Sequence, residues 1–222
     1  RAPQITAIDN ENIELRLEGE RQHYSNFGDL LSQSSCTYQR LLNCDDLIRH
    51  VLQLASKKLH QLRRSDPSAG ALIVAASVEH AIKIADFLRE QTGETGAIVT
   101  YLHEGSQHTI RTFRDSQDKW IISVGMISEG TDIPRLKICC HLTHVKTELY
   151  FRQVLGRVLR SNSQNQESGY LFMPAEPTLL EYARRISRDI PVVDAVKVEL
   201  MTQVILTANS ENLQEGQDEQ EQ

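Results

Sequence analysis

The sequence predicts an α/β domain in which helices cover both faces of a mainly parallel sheet. Apolar, β-branched runs at residues 71–75 and 120–124 have the composition of strands that are buried on both faces. Segments with helical spacing of apolar residues separate such runs, and no hairpin signals fall between them. Strands and helices that alternate in this way require right-handed crossovers between parallel strands.

Composition narrows the class of protein. The 222 residues are 40% hydrophobic with a formal net charge of −6, which argues against a surface that is basic throughout but not against a local basic channel. Four cysteines form no C-x-x-C pair, and Cys139 and Cys140 lie in an apolar run. This pattern predicts buried, reduced thiols, a cytoplasmic setting and no zinc or other metal site.

The ends of the chain are also informative. No run approaches the roughly 18 apolar residues of a membrane span, and no secretory signal opens the sequence, so we expect no membrane association. The chain begins at Arg1 rather than at methionine, which suggests a fragment or a processed protein. Residues 209–222 are acidic, polar and poor in apolar side chains, and we expect a disordered tail.

Residues 1–44 are the least regular part of the chain. Ile13, Leu15 and Leu17 alternate with polar residues, as in a half-buried strand, and we assign the remainder a connecting or packing role. Helical spacing begins at residue 45, with Asp45 or Asp46 available as the N-cap, and continues to about residue 62. We therefore place the main domain at residues 45–208.

The core elements follow from spacing and from start and stop signals. Ser77 has the side chain of an N-cap for a helix over 78–91, and Gly93 stands just beyond the end of that helix. Residues 192–206 are compatible with either helix or strand. The other predictions are strands at 71–75, 97–101, 120–124, 136–142 and 170–173, and helices at 109–114, 147–159 and 177–186.

The motif Glu-Gly-Thr-Asp-Ile-Pro at residues 129–134 follows a predicted strand, where open α/β sheets bind ligands. Gly130 lets backbone approach a ligand closely, Asp132 offers a carboxylate suited to ribose hydroxyls, and Pro134 keeps the preceding residue out of helical geometry. An ordinary turn, with Asp132 bonded to its own backbone, explains the same residues about equally well.

A second motif lies on the predicted helix 147–159 and just beyond it. Arg157 and Arg160 are three residues apart and would share a face that suits phosphate oxygens, and Gln153 joins that face. Gly156 costs about 1 kcal/mol relative to alanine inside a helix, which the close approach of another surface would explain. A solvated basic stripe is the plainer interpretation, but it leaves Gln153 and Gly156 unexplained.

Together these segments resemble known motifs. The strand Leu72-Ile73-Val74, the Glu-Gly-x-Asp-Ile-Pro loop and the Gln-x-x-Gly-Arg-x-x-Arg helix are similar, in order and spacing, to motifs IV, V and VI of superfamily 2 helicases. The resemblance covers residues 72–173. Within the superfamily, the motifs are most similar to those of DEAD/DEAH-like helicases in restriction-enzyme motor subunits and mobile-element proteins. It implies a RecA-like, three-layer α-β-α fold, with a peripheral N-terminal segment and an acidic tail added here.

The resemblance implies that this chain is the second of two RecA-like motor domains. The sequence holds no G-x-x-x-x-G-K-[ST] loop and no Asp-Glu pair after an apolar strand, so ATP and Mg²⁺ would be held mainly by an N-terminal RecA-like domain. We therefore expect an ATP-dependent helicase or translocase as the full-length enzyme, and an inactive fragment on its own.

The family's roles can be carried over residue by residue. Gly130 and Asp132 would face the ribose side of the nucleotide, and Gln153 would sense the nucleotide and hold its helix in register. Arg157 and Arg160 would reach the phosphates, with Arg157 as the arginine finger. For Glu129 we expect a pairing with an arginine of the second motif.

Nucleic acid would cross the strand ends of both domains, with DNA expected ahead of RNA. The resemblance places Ser77, Ser128 and the backbone near His103 along this path, although a plain helix cap explains Ser77 equally simply. Val124 stands where many relatives have a threonine, which puts that strand contact in doubt.

Two other interpretations stay open. One is a free-standing doubly wound module that binds a nucleotide or a protein without motor activity. The other is a degenerate motor domain kept for assembly, against which the intact set Gln153, Arg157 and Arg160 argues.

Overall fold

The computed structural model describes residues 4–17, 20–101, 105–125, 133–158, 169–189, 195–201 and 204–208. Its strands are β1 (Gln4–Asn10), β2 (Ile13–Leu17), β3 (Glu20–Tyr24), β4 (Gly70–Ala75), β5 (Gly96–Thr100), β6 (Trp120–Val124), β7 (Leu136–Leu142), β8 (Tyr170–Pro174), β9 (Val196–Met201) and β10 (Val204–Ala208). Its helices are α1 (Phe27–Gln33), α2 (Tyr38–Leu42), α3 (Asp45–Leu62), α4 (Val78–Thr92), α5 (Ser106–Asp115), α6 (Glu148–Val158) and α7 (Pro177–Asp189).

A parallel sheet of seven described strands forms the centre of the fold, in the order β5-β6-β4-β7-β8-β1-β9. Every residue of β4 and β6 is buried, as their apolar composition predicts for strands that are covered on both faces. The predicted α/β class with a parallel sheet is confirmed. Because all these strands run the same way, their carboxyl ends form one edge of the sheet.

Helices cover the sheet in two layers. On one face α3 packs against α4, β7 and β8, and α4 packs against β4, β5 and β6. Right-handed crossovers place α5, α6 and α7 on the opposite face, where α6 packs against β7 and α7. The predicted three-layer arrangement is therefore present.

The first strand differs from its expected role. We assigned residues 1–44 a connecting or packing function, and α1 and α2 do pack against the core, but β1 is inserted in the main sheet between β8 and β9. Both neighbours pair with it in parallel. The sequence hides this strand because it holds few large apolar residues, and a polar, turn-like run, Asp9-Asn10-Glu11-Asn12, follows at once.

A small second sheet has the order β10-β2-β3. The alternation of Ile13 and Leu15 predicted β2, and both side chains are fully buried. β3 pairs with β2 in antiparallel fashion, and this pairing was not anticipated. The undecided segment 192–206 contains β9 and most of β10, whose backbones pair in parallel with β1 and β2.

Helix boundaries agree closely with the spacing of apolar residues, and their caps agree in part. Ser77 accepts a hydrogen bond from the His80 backbone and caps α4, and Gly93 ends that helix with φ +70°. At α3, however, Cys44 is the N-cap residue and makes no side-chain cap bond. The aspartates proposed there, Asp45 and Asp46, lie in the first turn, where they still favour the positive end of the helix dipole.

Arg63 follows α3 and has a role that we did not foresee. Its guanidinium donates to the Ala69 carbonyl at 2.7 Å and to the Gln117 carbonyl at 3.1 Å. The side chain therefore ties the end of α3 to the loops that precede β4 and β6.

All four cysteines are buried and free, which includes Cys139 and Cys140, for which burial was predicted. Burial raises the pKa of the Cys139 and Cys140 thiols well above the usual range, so both stay protonated at neutral pH. Across the described residues, no helix combines the length and hydrophobicity that crossing a bilayer would need. The acidic tail at 209–222 lies outside the described residues.

Candidate nucleotide and nucleic-acid interface

Helix α6 carries the second motif and is anchored by one apolar face. Phe151, Val154 and Leu155 occupy positions i, i+3 and i+4 of this helix and are at most 3% exposed. At the start of α6, the Thr147 hydroxyl accepts a hydrogen bond from the Tyr150 backbone N–H (3.4 Å). The Thr147 carbonyl accepts one from the Phe151 backbone N–H (3.0 Å). The motif is thus presented by a packed and capped helix.

The outer face of α6, defined here by Gln153, Gly156 and Arg157, points away from that core. Gln153 and Gly156 are exposed, and Arg157 in the last turn is partly exposed. A methyl group added at Gly156 would meet no atom within 4 Å. The expected close approach to Gly156 is therefore not made by the residues that the structure describes, and the notch that this glycine leaves is open to an external surface.

A polar brace, Lys146 with Glu176, holds the start of α6 against the start of α7. Lys146 Nζ lies 3.1 Å from Glu176 Oε1, and Glu176 Oε2 accepts a hydrogen bond from the Leu179 backbone at 2.9 Å. Glu176 is only 4% exposed, and its carboxylate both caps α7 and pairs with Lys146, whose side chain is 39% exposed. The brace fixes the segment from which α6 departs.

A second set of ion pairs joins the same two helices at their surface. Glu148 accepts from Arg152 of its own helix at 2.8 Å and lies 3.3 Å from Arg185 of α7. Arg185 also pairs with Glu181. These side chains are 33% to 59% exposed, so each pair contributes little by itself.

Below α6, the side chain of His141 is fully buried in β7. Its ring makes edge contacts with Phe151 (5.6 Å between centroids) and Tyr150 (6.4 Å), and among the described residues neither ring nitrogen has a hydrogen-bond partner. Burial lowers the pKa of His141 to about 4. The imidazole is therefore a neutral packing group under the arginine-bearing helix.

The carboxyl edge of the sheet forms a separate surface, defined here by Ser77, Tyr101 and Gly125. These residues follow β4, β5 and β6, which are neighbours in the sheet. Ser77 is partly buried and its hydroxyl is used as the cap of α4. Gly125 has φ +70°, which favours glycine, and the first motif begins a few residues beyond it.

Arg157 lies in the last turn of α6, far along the helix from its start. Because β7 and β8 are parallel, the chain must return to the opposite edge between them, and α6 is part of this return. Arg157 follows the start of α6 by about 13 Å along the helix axis, at 1.5 Å per residue. The arginine therefore lies well along the helix, away from the point just after β7 where α6 begins.

Several predicted residues lie outside the described part of the chain. They are His103, Ser128, Glu129, Gly130, Asp132 and Arg160. The described turn at the end of the first motif is anchored by Ile133, whose side chain is buried and whose carbonyl accepts from the Leu136 backbone at 3.1 Å.

Sequence reasoning missed three residues that shape these surfaces. Lys146 and Glu176 precede helices α6 and α7, and a glutamate one residue before Pro177 is a recognisable start signal that could have been used. Tyr101 was read only as the end of a strand. Its exposure depends on how β5 meets β6, which spacing along the chain does not reveal.

Comparison with known proteins supports the motif assignment. Residues 53–162, from within α3 to just past α6, match the family model of the helicase conserved C-terminal domain. This part of the chain is a helicase C-terminal domain. The expected resemblance to superfamily 2 helicases is confirmed.

Among curated proteins, this helicase C-terminal domain is similar to a protein of Mycobacterium leprae described as uncharacterised. The two are 31% identical over 187 residues, which is 83% of this chain and 31% of that protein. A protein named as a helicase from a Sulfolobus islandicus filamentous virus is 30% identical over 105 residues, 45% of this chain and 18% of that protein. The chain thus spans less than a third of the length of these relatives.

Solved structures show the same fold at low sequence identity. T4 UvsW is 16% identical, with a TM-score of 0.56 that covers 90% of this chain and 41% of that one. A fragment named as an HsdR subunit of a type I restriction enzyme from Vibrio vulnificus YJ016 is 15% identical, with a TM-score of 0.52 over 93% of this chain and 37% of that one. Domain 2 of the DEAD-box helicase Mss116p, bound to an RNA duplex, is 10% identical, with a TM-score of 0.51 over 94% and 66%. These likenesses confirm the RecA-like fold.

Proposed function

We propose that this domain is the second motor domain of an ATP-dependent nucleic-acid helicase or translocase. The observation that carries the proposal is the outer face of α6, where Gln153 and Arg157 flank an exposed glycine notch on a helix that is packed and braced from below. A helix built in this way presents a polar face to something outside the described chain. The family match over residues 53–162 supports a second RecA-like domain as that object.

The donor set on α6 suits phosphate oxygens and not a magnesium ion. Arginine offers only donors, and magnesium requires oxygen ligands. In the proposal Arg157 reaches the phosphates of ATP held by the other domain and stabilises the charge that develops during transfer, as an arginine finger. Gln153, one turn earlier, contacts the same nucleotide and holds α6 in register. Mg²⁺ would be held by the other domain.

Four further assignments are proposed on motif position. Gly130 and Asp132 would face the ribose, Arg160 would assist Arg157, and Glu129 would pair with one of these arginines. Nucleic acid would run along the carboxyl edge past Ser77, Ser128 and His103. A domain of the same fold, from Mss116p, is bound to an RNA duplex, which supports nucleic acid as a partner.

The test is ATP hydrolysis by the full-length protein that contains this domain, measured with and without single-stranded DNA and RNA. We expect turnover that either nucleic acid stimulates, and DNA more strongly. The 222-residue chain alone should not turn over ATP, and turnover by it would contradict the domain assignment. Absence of hydrolysis by the full-length protein, with or without nucleic acid, would instead favour a nucleotide- or protein-binding module.

A further inference from the structure

Tyr101 is an exposed aromatic side chain at the carboxyl edge of the sheet. It directly follows β5 and is 66% exposed, although most large apolar side chains of this domain are buried. Exposure of a single tyrosine is unremarkable by itself. Its position is informative because it lies on the edge along which the proposed function places nucleic acid.

The backbone beside Tyr101 is held rigidly. The buried hydroxyl of Ser106 accepts a hydrogen bond from the Thr100 backbone N–H at 3.1 Å and donates one to the Thr100 carbonyl at 2.8 Å. One side chain therefore satisfies both polar groups of the last residue of β5 and ties this residue to the first turn of α5. The ring is presented from a fixed point.

The ring itself lies against glycine. The register that pairs Thr100 with Val124 brings Tyr101 beside Gly125. A methyl group added at Gly125 would lie 2.8 Å from Cδ1 of Tyr101, so the ring occupies the space that any other residue would fill. One side of the ring is thus supported by backbone, and the rest is open to solvent.

A ring that extends from an anchored backbone, packs on one side and is open on the other is suited to base stacking. Every nucleobase has a π-face, so such a contact tolerates many sequences, and little ordering entropy is lost on binding. We propose that Tyr101 is a stacking platform for a base of single-stranded nucleic acid. This inference rests on the proposed function and adds a contact to bases along the edge, in addition to the contacts already proposed for Ser77, Ser128 and His103.

The plainer explanation is that the ring only shields the Gly125 backbone, as aromatic residues do for glycines in sheets. The two explanations differ in what they require of the side chain. Shielding needs bulk, which leucine supplies, whereas stacking needs a flat π-face, which phenylalanine supplies and leucine does not. They also differ in ligand, because stacking needs a base and shielding needs none.

The experiment measures binding of full-length protein to oligo-dT, oligo-rU and an abasic oligonucleotide of equal length and charge, by fluorescence anisotropy at fixed salt. We expect Tyr101→Ala and Tyr101→Leu to weaken binding to the base-bearing oligonucleotides by about 5- to 100-fold, which matches the loss of one stacked base. Tyr101→Phe should bind as the wild type does. On the abasic oligonucleotide all four proteins should bind equally.

Leu200→Ala is the matched control, because Leu200 is 53% exposed on β9 at the far edge of the same sheet. It should leave all affinities unchanged. Equal binding of oligo-dT and oligo-rU by Tyr101→Ala and wild type would overturn the stacking proposal, as would an equal loss on the abasic oligonucleotide. If wild type shows nucleic-acid-stimulated hydrolysis in these cases, the proposed function stands and only this inference fails. Wild type that binds no oligonucleotide would overturn both.

Discussion

The carboxyl-edge surface and the outer face of α6 are held in place by different forces. Tyr101 and Gly125 are positioned by the backbone ladder of the sheet and by the buried Ser106 hydroxyl. The outer face of α6 is positioned by side chains, namely the apolar anchors below it and the brace between Lys146 and Glu176. A surface built by backbone resists small changes of sequence, whereas one built by side chains responds to single substitutions.

This difference suggests that the carboxyl-edge surface and the outer face of α6 have separate functions. A rigid sheet edge is suited to bind nucleic acid, because the strand must stay in one register while individual contacts form and break. The position of α6 depends on a few side chains. Such a helix is suited to respond to the other RecA-like domain, since small shifts of packed elements can be coupled to the nucleotide state. Substitutions that damage one surface should therefore leave the other intact.

The largest expected effect is on turnover. Arg157→Ala in the full-length protein should lower kcat for nucleic-acid-stimulated hydrolysis by roughly 10³-fold, because an arginine finger meets charge that exists only in the transition state. The affinity for ATP should change by no more than a few-fold. Steady-state rates together with nucleotide binding measure both quantities.

Arg152→Ala is a control on the same helix. Arg152 pairs with Glu148 at the surface, so its loss should change kcat less than about 2-fold. Arg157→Lys should not rescue turnover, because an ammonium lacks the planar fork. Equal losses in kcat and in ATP affinity for Arg157→Ala would identify a ground-state contact instead.

The brace under α6 should matter for stability. Glu176→Ala removes the acceptor for the Leu179 N–H and leaves Lys146 without its partner, and we expect a loss of about 2 to 3 kcal/mol in unfolding free energy. Glu176→Gln keeps a side-chain oxygen for the cap and should lose only about 1 kcal/mol. Urea denaturation at pH 7 measures both. Identical losses would show that the cap bond contributes nothing beyond the charge.

His141 should make stability depend on pH. Burial lowers its pKa to about 4 in the folded state from an ordinary 6.5, so the unfolded chain binds the proton more readily between these values. Stability should fall as pH drops below about 6.5 and stop falling on this account near 4. At pH 5 the expected contribution of this one group is about 2 kcal/mol.

His141→Leu removes that penalty. It should change unfolding free energy by less than about 1 kcal/mol at pH 7, because no group in the described part of the chain bonds to either ring nitrogen, and should stabilise the domain at pH 5. His80→Leu is a useful contrast, since His80 Nδ1 accepts from the Ala76 N–H at 3.1 Å and its loss should destabilise at pH 7. Urea denaturation at the two pH values tests this, and parallel pH curves for wild type and His141→Leu would contradict it.

The smallest effects compare two glycines. Gly125→Ala should lose about 1 to 2 kcal/mol of unfolding free energy, because φ is +70° and the new methyl group would collide with Tyr101. Gly156→Ala should instead gain up to about 1 kcal/mol, since the site is helical and open. If the notch receives another lobe, Gly156→Ala should still lower turnover in the full-length protein. A stabilised variant with normal turnover would show that the notch is not used.

The sequence predicted those helices and strands whose signals lie within the segment itself. Helix α4 could be placed because Ser77 and Gly93 mark its ends, and β4 and β6 because their residues are apolar throughout. The strand β1 could not be placed, since its place between β8 and β9 depends on partners more than 150 residues away in the chain. Pairing of this kind leaves little trace in short segments.

The candidate site was predictable in part for the same reason. The spacing of Gln153 and Arg157 fixes a shared helix face, and both were found on the outer side of α6. The support by Glu176 and the exposure of Tyr101 arise from neighbouring elements, so periodicity could not reveal them. The direction in which α6 runs across the sheet depends on the strand order, which periodicity along the chain does not reveal.

The most direct test is one titration of wild type, Arg157→Ala and Tyr101→Ala full-length proteins with single-stranded oligonucleotide, in which affinity for the oligonucleotide and kcat for ATP at saturation are both measured. We predict that Arg157→Ala keeps the affinity and loses turnover by roughly 10³-fold. Tyr101→Ala should weaken the affinity and recover wild-type turnover once the oligonucleotide saturates. Full turnover by Arg157→Ala, or the same change in the same quantity for both variants, would contradict the division between the two surfaces.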